Sequence, residues 1–232
     1  MHTLSVIIPA YNEEKTIFRL LQKVAGVQLI NGIQKEIIVV DDGSRDGSEQ
    51  QVVRYNAQHP EAPALYFRQP ENRGKGAAIR QGLQLVTGDG VIIQDADLET
   101  DPEDYNTLLR PFIQENLKVI YGSRFLRREN RHISHWYYLG GRIVTLVANL
   151  LYNQRLTDEP TCYKLFDAAF LKSIPLRCTG FEFCPEVTAK VAKRGIKIRE
   201  VPVNYYPRSM DDGKKIKWTD GLKAIWTLLK YR

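Results

Sequence analysis

The sequence predicts an α/β fold with a mostly parallel central sheet flanked by helices. Short runs rich in β-branched residues alternate with segments of helical periodicity throughout the first half of the chain. Runs such as Val6-Ile7-Ile8 are apolar at every position, which is typical of parallel strands covered by helices on both faces. The 232 residues, of which 43% are hydrophobic and 26% charged, suffice to bury a large core without disulfides or a structural metal.

The same alternation assigns the elements in order. A helix follows each of the first four predicted strands. After residue 121 the alternation fades, and the second half is expected to hold three helices, one strand and an irregular segment. The predicted strands are 4–8, 36–40, 64–67, 91–94, 119–121 and 198–203; the predicted helices are 14–24, 47–58, 74–85, 102–114, 135–153, 183–194 and 219–231; the irregular segment is 161–164.

The chain is basic, with 33 Lys plus Arg against 27 Asp plus Glu, and the excess is concentrated in two segments. Residues 124–135 hold four arginines against one glutamate, and residues 208–232 hold seven basic against three acidic residues. An anionic partner is therefore expected, such as a phosphate-bearing ligand or a lipid headgroup. The sequence contains no uncharged apolar run of 18 residues, so no transmembrane helix is expected. Its three cysteines have neither disulfide nor metal-site spacing, which indicates a reduced, cytosolic protein.

Carboxylates follow the predicted strand 91–94. Ligands of doubly wound sheets bind at the carboxyl ends of the strands, so a binding site is expected there. In an extended segment residues i and i+2 share a face about 7 Å apart. Asp95, Asp97 and Glu99 are therefore expected to converge on one hard cation, Mg²⁺ or Mn²⁺, that holds a diphosphate. The alternative is a set of turn or helix-cap carboxylates ahead of Pro102.

Two further features favour a nucleotide ligand. Asp42 directly follows an apolar strand and is a candidate acceptor for a base or ribose, the alternative being a turn residue before Gly43. The stretch 72–76 opens a predicted helix, where backbone amides and Lys75 are placed to meet phosphate. A helix start that is closely packed by other backbone is an equally good interpretation of this stretch.

Five short motifs follow one another along the first half of the chain: SVIIPAYNEE at 5–14, VDDGS at 40–44, ENRGKGA at 71–77, DADL at 95–98 and YGSR at 121–124. Their order and spacing resemble those of the family-2 inverting glycosyltransferases with a GT-A fold. Later segments at 157–158, 161–164, 200–202 and 208–215 resemble the branch that includes dolichyl-phosphate mannosyltransferase and bacterial polyprenyl-phosphate glycosyltransferases. This resemblance implies one domain over residues 1–232, with a nucleotide-sugar-binding half, 1–121, and an acceptor-binding half, 122–232.

The resemblance also implies roles for the matching residues. Arg124 is expected to face the acceptor phosphate, and Arg208 and Lys215 resemble the basic pair on a loop that closes over the diphosphate. Glu99 stands where the mannosyltransferases usually have glutamine and is expected as a third metal ligand. With Lys75 added, the expected donor site is Pro9, Tyr11, Glu13, Asp42, Lys75 and Asp95; the expected metal ligands are Asp95, Asp97 and Glu99; the expected catalytic residues are Asp97, Arg124, Arg208 and Lys215.

The basic segment after residue 123 is suited to a phosphate acceptor on chemical grounds alone. A phosphate monoester is already anionic at pH 7 and needs cationic positioning groups, whereas a sugar hydroxyl needs a base. Arginine binds phosphate bidentately, which lysine does not. Arg124, Arg127, Arg128 and Arg131 are therefore expected to bind the acceptor, the alternative being a solvated basic loop.

Two apolar helical stretches predict an interfacial position for the second half. The stretch 136–151 is apolar on nearly all sides, and the C-terminal stretch carries a stripe at i, i+4, i+7, i+8 and i+11 flanked by lysines. Peripheral association with the inner face of the cytoplasmic membrane is therefore expected, and two core-packing helices are the alternative. The stripe residues are Trp218, Leu222, Ile225, Trp226 and Leu229.

These features together predict a metal-dependent hexosyltransferase. The expected reaction moves a hexose from GDP-mannose or a UDP-hexose to a polyprenyl or dolichyl phosphate, with no general base. One alternative extends a saccharide, with Glu182 or Glu186 as base. Another is a non-catalytic nucleotide-sugar-binding or membrane-scaffold protein, which predicts donor binding without turnover. Nucleic acid is not an expected partner, because the aromatic residues lie in apolar stripes, and the oligomeric state is open.

Overall fold

A computed structural model describes residues 1–130, 135–207 and 218–232, and it contains one mixed sheet with helices on both faces. Short 3-10 helices lie at Ile30–Gly32 and Pro102–Asp104. The strands are β1 (Thr3–Ala10), β2 (Gln34–Asp41), β3 (Ala64–Arg68), β4 (Gly90–Ile93), β5 (Val119–Ser123), β6 (Lys164–Asp167) and β7 (Arg199–Pro202). The helices are α1 (Ile17–Gly26), α2 (Ser48–Gln58), α3 (Lys75–Leu85), α4 (Tyr105–Gln114), α5 (His135–Tyr152), α6 (Ala168–Lys172), α7 (Phe183–Lys193) and α8 (Trp218–Lys230).

The strand order in the sheet is β3-β2-β1-β4-β6-β5-β7. Strands β3, β2, β1 and β4 are parallel, β6 runs antiparallel to β4 and to β5, and β7 is parallel to β5. The predicted α/β class and mostly parallel sheet are confirmed. Because β5 points the same way as β4, the carboxyl ends of β1, β2, β4 and β5 lie along one edge.

Neighbouring residues of the central strands enter different cores. Val6 and Ile8 on β1 pack with α1 and α4 on one face of the sheet, whereas Ile7 packs with α3 on the other. All three side chains are 0% exposed. The uninterrupted apolar run therefore reflects burial on both faces. A third, smaller cluster joins α5, α7 and α8 around Ala148 and Leu228.

Strand β6 was not predicted, and it begins at the last residue of the predicted irregular segment 161–164. Lys164 begins this strand, and its buried ammonium donates to the carbonyl oxygens of Glu159 and Thr161, both at 2.7 Å. The strand is only four residues long, so alternation and length gave no signal for it. Since β6 lies between β4 and β5, both halves of the chain contribute to one sheet.

None of the helices in the described part of the chain combines the length and the apolarity that crossing a bilayer requires.

Candidate active site

The segments after β1 and β2 are tied together at the carboxyl edge of the sheet. The Asn12 amide donates to Ser44 Oγ and the Arg45 amide donates back to Asn12 Oδ1, both at 2.8 Å. The Glu13 amide donates to Ser48 Oγ at 2.8 Å, and the Glu13 carboxylate, which is 7% exposed, accepts from the Thr16 hydroxyl. The predicted donor residues Pro9, Tyr11 and Glu13 therefore lie in a cross-linked segment beside β2.

Asp42 links the end of β2 to the segment that precedes α3. Its Oδ1 accepts from Gln69 Nε2 at 2.9 Å and from the Arg73 amide at 2.8 Å, and its Oδ2 accepts from the Gly74 amide at 2.8 Å. Burial raises the pKa of Asp42, and the two backbone N–H groups oppose that rise. Asp42 therefore has a structural role in this loop, and its contact with a nucleoside stays a prediction.

The N-terminus of α3 is covered by backbone. Gly74 has φ +95°, and a Cβ built there would stand 2.5 Å from the Thr179 carbonyl oxygen, so only glycine fits. The same carbonyl accepts from the Ala77 amide at 2.9 Å. The close-packing interpretation of the 72–76 stretch is the one that the structure supports, and Lys75 remains its candidate ligand group.

Lys75 and Asp95 form an ion pair within the site. Lys75 Nζ lies 2.5 Å from Asp95 Oδ1, and the two side chains are 16% and 26% exposed. Burial lowers the pKa of Lys75, but the attraction and hydrogen bond of Asp95, together with the neighbouring Cys162 and Cys184, raise it above its usual range. The lysine ammonium also lies 5.8 Å from the centroid of the Phe181 ring. The ammonium of Lys75 therefore already contacts Asp95, the first carboxylate of the acidic segment, residues 95–99.

The acidic segment is a turn, so the expectation of an extended segment at 95–99 is wrong. β4 ends at Ile93, and Leu98 has φ +63°. The Glu99 amide donates to Asp97 Oδ1 at 3.0 Å, and Glu99 Oε2 accepts from the Tyr205 hydroxyl at 2.8 Å. Within the described residues, no three His, Cys, Asp or Glu side chains are grouped around a common metal position. The roles of these carboxylates as metal ligands stay predictions.

Arg124 follows β5 and is paired with a buried carboxylate. Its Nε and Nη2 donate to Asp158 Oδ2 and Oδ1, each at 2.7 Å, and its amide donates to Oδ2 at 2.9 Å. The Asp158 side chain is 0% exposed and that of Arg124 is 19% exposed. Burial opposes the charge on Arg124, but the Asp158 carboxylate outweighs it and raises the pKa of the guanidinium. This cation therefore has a fixed orientation.

Tyr205 connects this cation to the acidic turn. Its ring centroid lies 5.1 Å from Arg124 Cζ, and its hydroxyl donates to Glu99. The Tyr206 amide donates to the Glu99 carbonyl at 2.7 Å, which holds the two segments side by side. The predicted acceptor residue and the predicted diphosphate segment are thus neighbours in one site.

The other basic residues predicted to bind phosphate are either near the surface or outside the described part of the chain. Arg127 forms a 3.7 Å ion pair with Glu129, and Arg128 is exposed. Arg131, Arg208 and Lys215 lie outside the described residues.

Sequence reasoning missed three residues that shape the site, namely Asp158, Glu200 and Tyr205. Asp158 and Glu200 lie in segments that carried the family resemblance, although no role was derived for them. What marks these two carboxylates is burial next to a partner that is distant in sequence, and a single sequence reveals neither the burial nor the partner. Tyr205 gave no signal that separates it from a core aromatic residue.

The two candidate bases have different surroundings. Glu186 is 0% exposed; its Oε1 accepts from the Arg177 amide and from Lys190 Nζ, and its Oε2 accepts from the Cys178 amide. Glu182 is partly exposed and accepts from the Gly180 amide at 3.1 Å. Glu186 is therefore committed to internal partners, and general-base chemistry would rest on Glu182.

Helices α5 and α8 each expose an apolar stripe. Ile225 instead packs inward, against the cluster around Leu228. Lys223 and Lys230 are exposed on α8, and Arg142 is exposed on α5. The exposed side chains are Leu139, Ile143, Leu146 and Leu150 on α5, and Trp218, Leu222, Trp226 and Leu229 on α8.

Comparisons with known proteins agree with this architecture. The chain is 29% identical over 238 residues to a dolichyl-phosphate beta-glucosyltransferase of Trichomonas vaginalis, which covers 98% of this chain and 72% of that protein. It is 28% identical over 210 residues to the dodecaprenyl-phosphate galacturonate synthase of Rhizobium johnstonii, which covers 88% of this chain and 59% of that protein.

A solved structure confirms the fold. Glucosyl-3-phosphoglycerate synthase from Mycobacterium tuberculosis, crystallised with Mn²⁺, UDP and glucosyl-3-phosphoglycerate, superimposes with a TM-score of 0.73 at 23% identity, over 99% of this chain and 80% of that chain. The family model described as glycosyl transferase family 2 matches residues 5–174. The chain therefore belongs to glycosyl transferase family 2 and is a glycosyltransferase with a GT-A fold.

Proposed function

We propose that the protein moves a hexose from a nucleotide-diphosphate sugar to a polyprenyl phosphate, giving a lipid-monophosphate sugar with inversion at the anomeric carbon. The donor is GDP-mannose or a UDP-hexose. The observation that carries the proposal is the position of Arg124, whose oriented guanidinium lies beside the acidic turn through Tyr205. The names of the dolichyl-phosphate and dodecaprenyl-phosphate relatives support a lipid-phosphate acceptor.

The donor is proposed to lie at the carboxyl edge of the sheet. Pro9, Tyr11, Glu13 and Asp42 would surround the nucleoside, and the ammonium of Lys75 would meet the diphosphate. Asp95 and Asp97 offer carboxylate oxygens on neighbouring positions of one turn, which suits Mg²⁺ or Mn²⁺. A divalent cation held there would neutralise charge on the diphosphate leaving group.

The acceptor phosphate is proposed to bind opposite the diphosphate, at Arg124 and the basic residues of its segment, Arg127, Arg128 and Arg131. A phosphate oxygen bonds to the anomeric carbon while the bond from that carbon to the diphosphate oxygen breaks, and the nucleoside diphosphate leaves. The nucleophile is already anionic, so no side chain needs to remove a proton. Arg208 and Lys215 are proposed to cover the diphosphate.

The exposed stripes of α5 and α8 support a peripheral position on the inner face of the cytoplasmic membrane. Apolar side chains on two adjacent helices, with Lys223, Lys230 and Arg142 beside them, suit insertion among anionic lipid headgroups. The polyprenyl chain of the acceptor would lie in the same membrane, close to the second half of the protein.

Sugar transfer by the purified protein tests this function. Radiolabelled GDP-mannose and a panel of UDP-hexoses would be incubated with Mn²⁺ and either a short-chain polyprenyl phosphate or soluble glycans. Label is expected in the lipid phase with one of the donors. Asp97→Asn is expected to reduce the rate of this transfer at least about 100-fold. Label only in the glycan would support saccharide extension, and donor binding without turnover would support a non-catalytic protein. Near-normal transfer by Asp97→Asn with saturating metal would contradict the role of that carboxylate.

A further inference from the structure

Among residues 1–130, 135–207 and 218–232, an acidic side chain holds Arg124 along one of its two anion-binding edges. A guanidinium can hold an anion through its side edge, Nε with Nη2, or through its end edge, Nη1 with Nη2. Asp158 occupies the side edge with two bonds of 2.7 Å. Nη2 is shared by both edges, and one of its two N–H groups is used in this pair; its second N–H and the Nη1 group make up the end edge and point away from Asp158. The Arg124 side chain is 19% exposed. A phosphate that approaches Arg124 therefore meets the end edge.

Aromatic rings restrict the guanidinium further. Arg124 Cζ lies 5.1 Å from the Tyr205 ring centroid and 5.7 Å from that of Phe125. Tyr205 is itself held, because its amide donates to Asn130 Oδ1 at 3.1 Å and its hydroxyl donates to Glu99. A planar cation between a carboxylate and a fixed ring has few orientations available.

Glu200 holds the segment that carries Asp158. It lies on β7, opposite Tyr121 of the strand that leads to Arg124. Glu200 Oε1 accepts from the Asp158 amide at 2.9 Å, and Oε2 accepts from the Thr157 amide at 2.6 Å and the Thr157 hydroxyl at 2.8 Å. The Thr157 hydroxyl also lies 2.6 Å from Ser123 Oγ. The 157–158 segment is thus fixed to both β5 and β7.

We propose that Asp158 and Glu200 are positioning residues for the acceptor. Glu200 fixes the backbone of Thr157 and Asp158, and Asp158 orients Arg124 so that the end edge of its guanidinium faces the acceptor phosphate. This inference rests on the proposed function. Both carboxylates act through Arg124, and displacing an orienting group by about 1 Å costs up to about 100-fold in rate.

Glu200→Gln tests the proposal through the two Michaelis constants. In the wild type, each carboxylate oxygen of Glu200 accepts from a backbone N–H group. Glutamine replaces one of these oxygens by an NH₂ group, which cannot accept that hydrogen bond, so the 157–158 segment is expected to shift. The KM for short-chain polyprenyl phosphate is expected to rise about tenfold or more, and the KM for the donor to change by less than about twofold. Glu186→Gln is the matched control, because Glu186 also accepts from two backbone N–H groups, and these belong to Arg177 and Cys178 rather than to the 157–158 segment. It is expected to lower the melting temperature and leave the acceptor KM unchanged.

A double-variant cycle separates positioning from general destabilisation. Arg124→Lys keeps a cation without an end edge, so Glu200→Gln is expected to raise the acceptor KM by less than about twofold in that background. Fully additive effects would overturn the proposal.

If Glu200→Gln does not fold, Thr157→Val provides a second test of the positioning role. It removes one hydroxyl from the segment and is expected to raise the acceptor KM about threefold. An unchanged acceptor KM in a folded Glu200→Gln or Thr157→Val variant would overturn the positioning role and leave the proposed function intact. Failure of the wild type to transfer sugar to any polyprenyl phosphate would overturn both.

Discussion

Arg124 and Asp158 form a buried ion pair on which the stability of the site depends. Arg124→Met would leave the Asp158 carboxylate, which is 0% exposed, without its cation. Removing one partner of such a pair typically costs about 3–5 kcal/mol, because an uncompensated charge stays buried. The free energy of unfolding, measured with urea, is expected to fall by that amount.

Arg127→Met is the control for this experiment. Arg127 and Glu129 form a 3.7 Å pair in which the side chains are 40% and 77% exposed. Exposed pairs contribute little, so the expected change is about 0.5 kcal/mol or less. Equal losses for the two methionine variants would contradict the importance assigned to the Asp158 pair.

We expect Lys75 to compete with a divalent cation for Asp95. The ammonium of Lys75 lies 2.5 Å from the carboxylate, so a metal ion that binds Asp95 would have to share or displace that contact. Lys75→Met is therefore expected to raise the affinity for Mn²⁺ without nucleotide about tenfold, equivalent to about 1.4 kcal/mol. The same variant is expected to bind the donor nucleotide more weakly, since a positive charge near the diphosphate is lost. Electron paramagnetic resonance of free Mn²⁺ measures the first effect.

Lys118→Met serves as the control, because it breaks another lysine–aspartate pair, the 2.8 Å contact between Lys118, which precedes β5, and Asp167 at the end of β6. Its Mn²⁺ affinity should equal that of the wild type. An Mn²⁺ affinity in Lys75→Met that matches this control would mean that the lysine does not compete for the metal.

Glu186 gives the stability a defined dependence on pH. Burial opposes its charge, but hydrogen bonds from Lys190 and two backbone amides outweigh it and lower the pKa below 4.5. Its contribution is therefore fully present above pH 4.5 and is lost as pH falls through the lowered pKa. Glu186→Gln is expected to have a lower melting temperature than the wild type at pH 7, and the difference should shrink as the pH falls below 4.5. A constant difference would contradict this titration.

Residue types at strand ends were predictable, but their partners were not. Asp42 was predicted from its position after an apolar strand, and Arg124 from the family resemblance and the basic segment that it begins. The sequence offers no link between Arg124 and Asp158, 34 positions apart, or between Asp158 and Glu200 on β7. Those links depend on the insertion of β6 between β4 and β5, which brings distant segments together.

Helix α8 exposes an apolar stripe, and a substitution within this stripe tests the proposed membrane contact. Trp226 is 67% exposed, so Trp226→Ser would remove a large apolar surface without opening the core. Binding to vesicles of phosphatidylcholine and phosphatidylglycerol, measured by co-sedimentation, is expected to weaken about tenfold. High salt is expected to weaken binding as well, because exposed lysines flank the stripe.

Val53→Ser on α2 is the matched control, since Val53 is 60% exposed on a helix without an apolar stripe. Its vesicle binding should equal that of the wild type. Equal binding by Trp226→Ser, or no binding by the wild type, would contradict the membrane role of α8.

The periodic helices and most strands, including the short strands β3, β4, β5 and β7, were predicted close to their observed positions, whereas β6 and α6 were not predicted. The parallel strands β1 and β2 are longer than predicted but in the expected places. The turn at 94–99 was predicted as extended because the positive φ at Leu98 has no sequence signal of the kind that glycine provides. Tertiary contacts from Tyr205 support this turn, and they were not visible in the local sequence.

At the scale of the whole molecule, one sheet serves both proposed halves. Strands β1, β2 and β4 lead to residues proposed for the donor, β5 leads to Arg124, and β7 carries Glu200, which holds the segment of Asp158 ahead of β6. The halves 1–121 and 122–232 are therefore a proposed division of labour within a continuous sheet. A continuous sheet holds the acidic turn and Arg124 at a fixed separation, as in-line transfer requires.

We propose that the carboxyl edge of the sheet binds a divalent cation and a nucleoside diphosphate next to Arg124. A crystal soaked with Mn²⁺ and whichever of UDP or GDP raises the melting temperature of the protein tests this proposal. We expect an anomalous manganese peak at the carboxylates of Asp95 and Asp97, with the diphosphate in contact with it. A manganese peak at any other place on the chain would mean that these two carboxylates do not hold the metal.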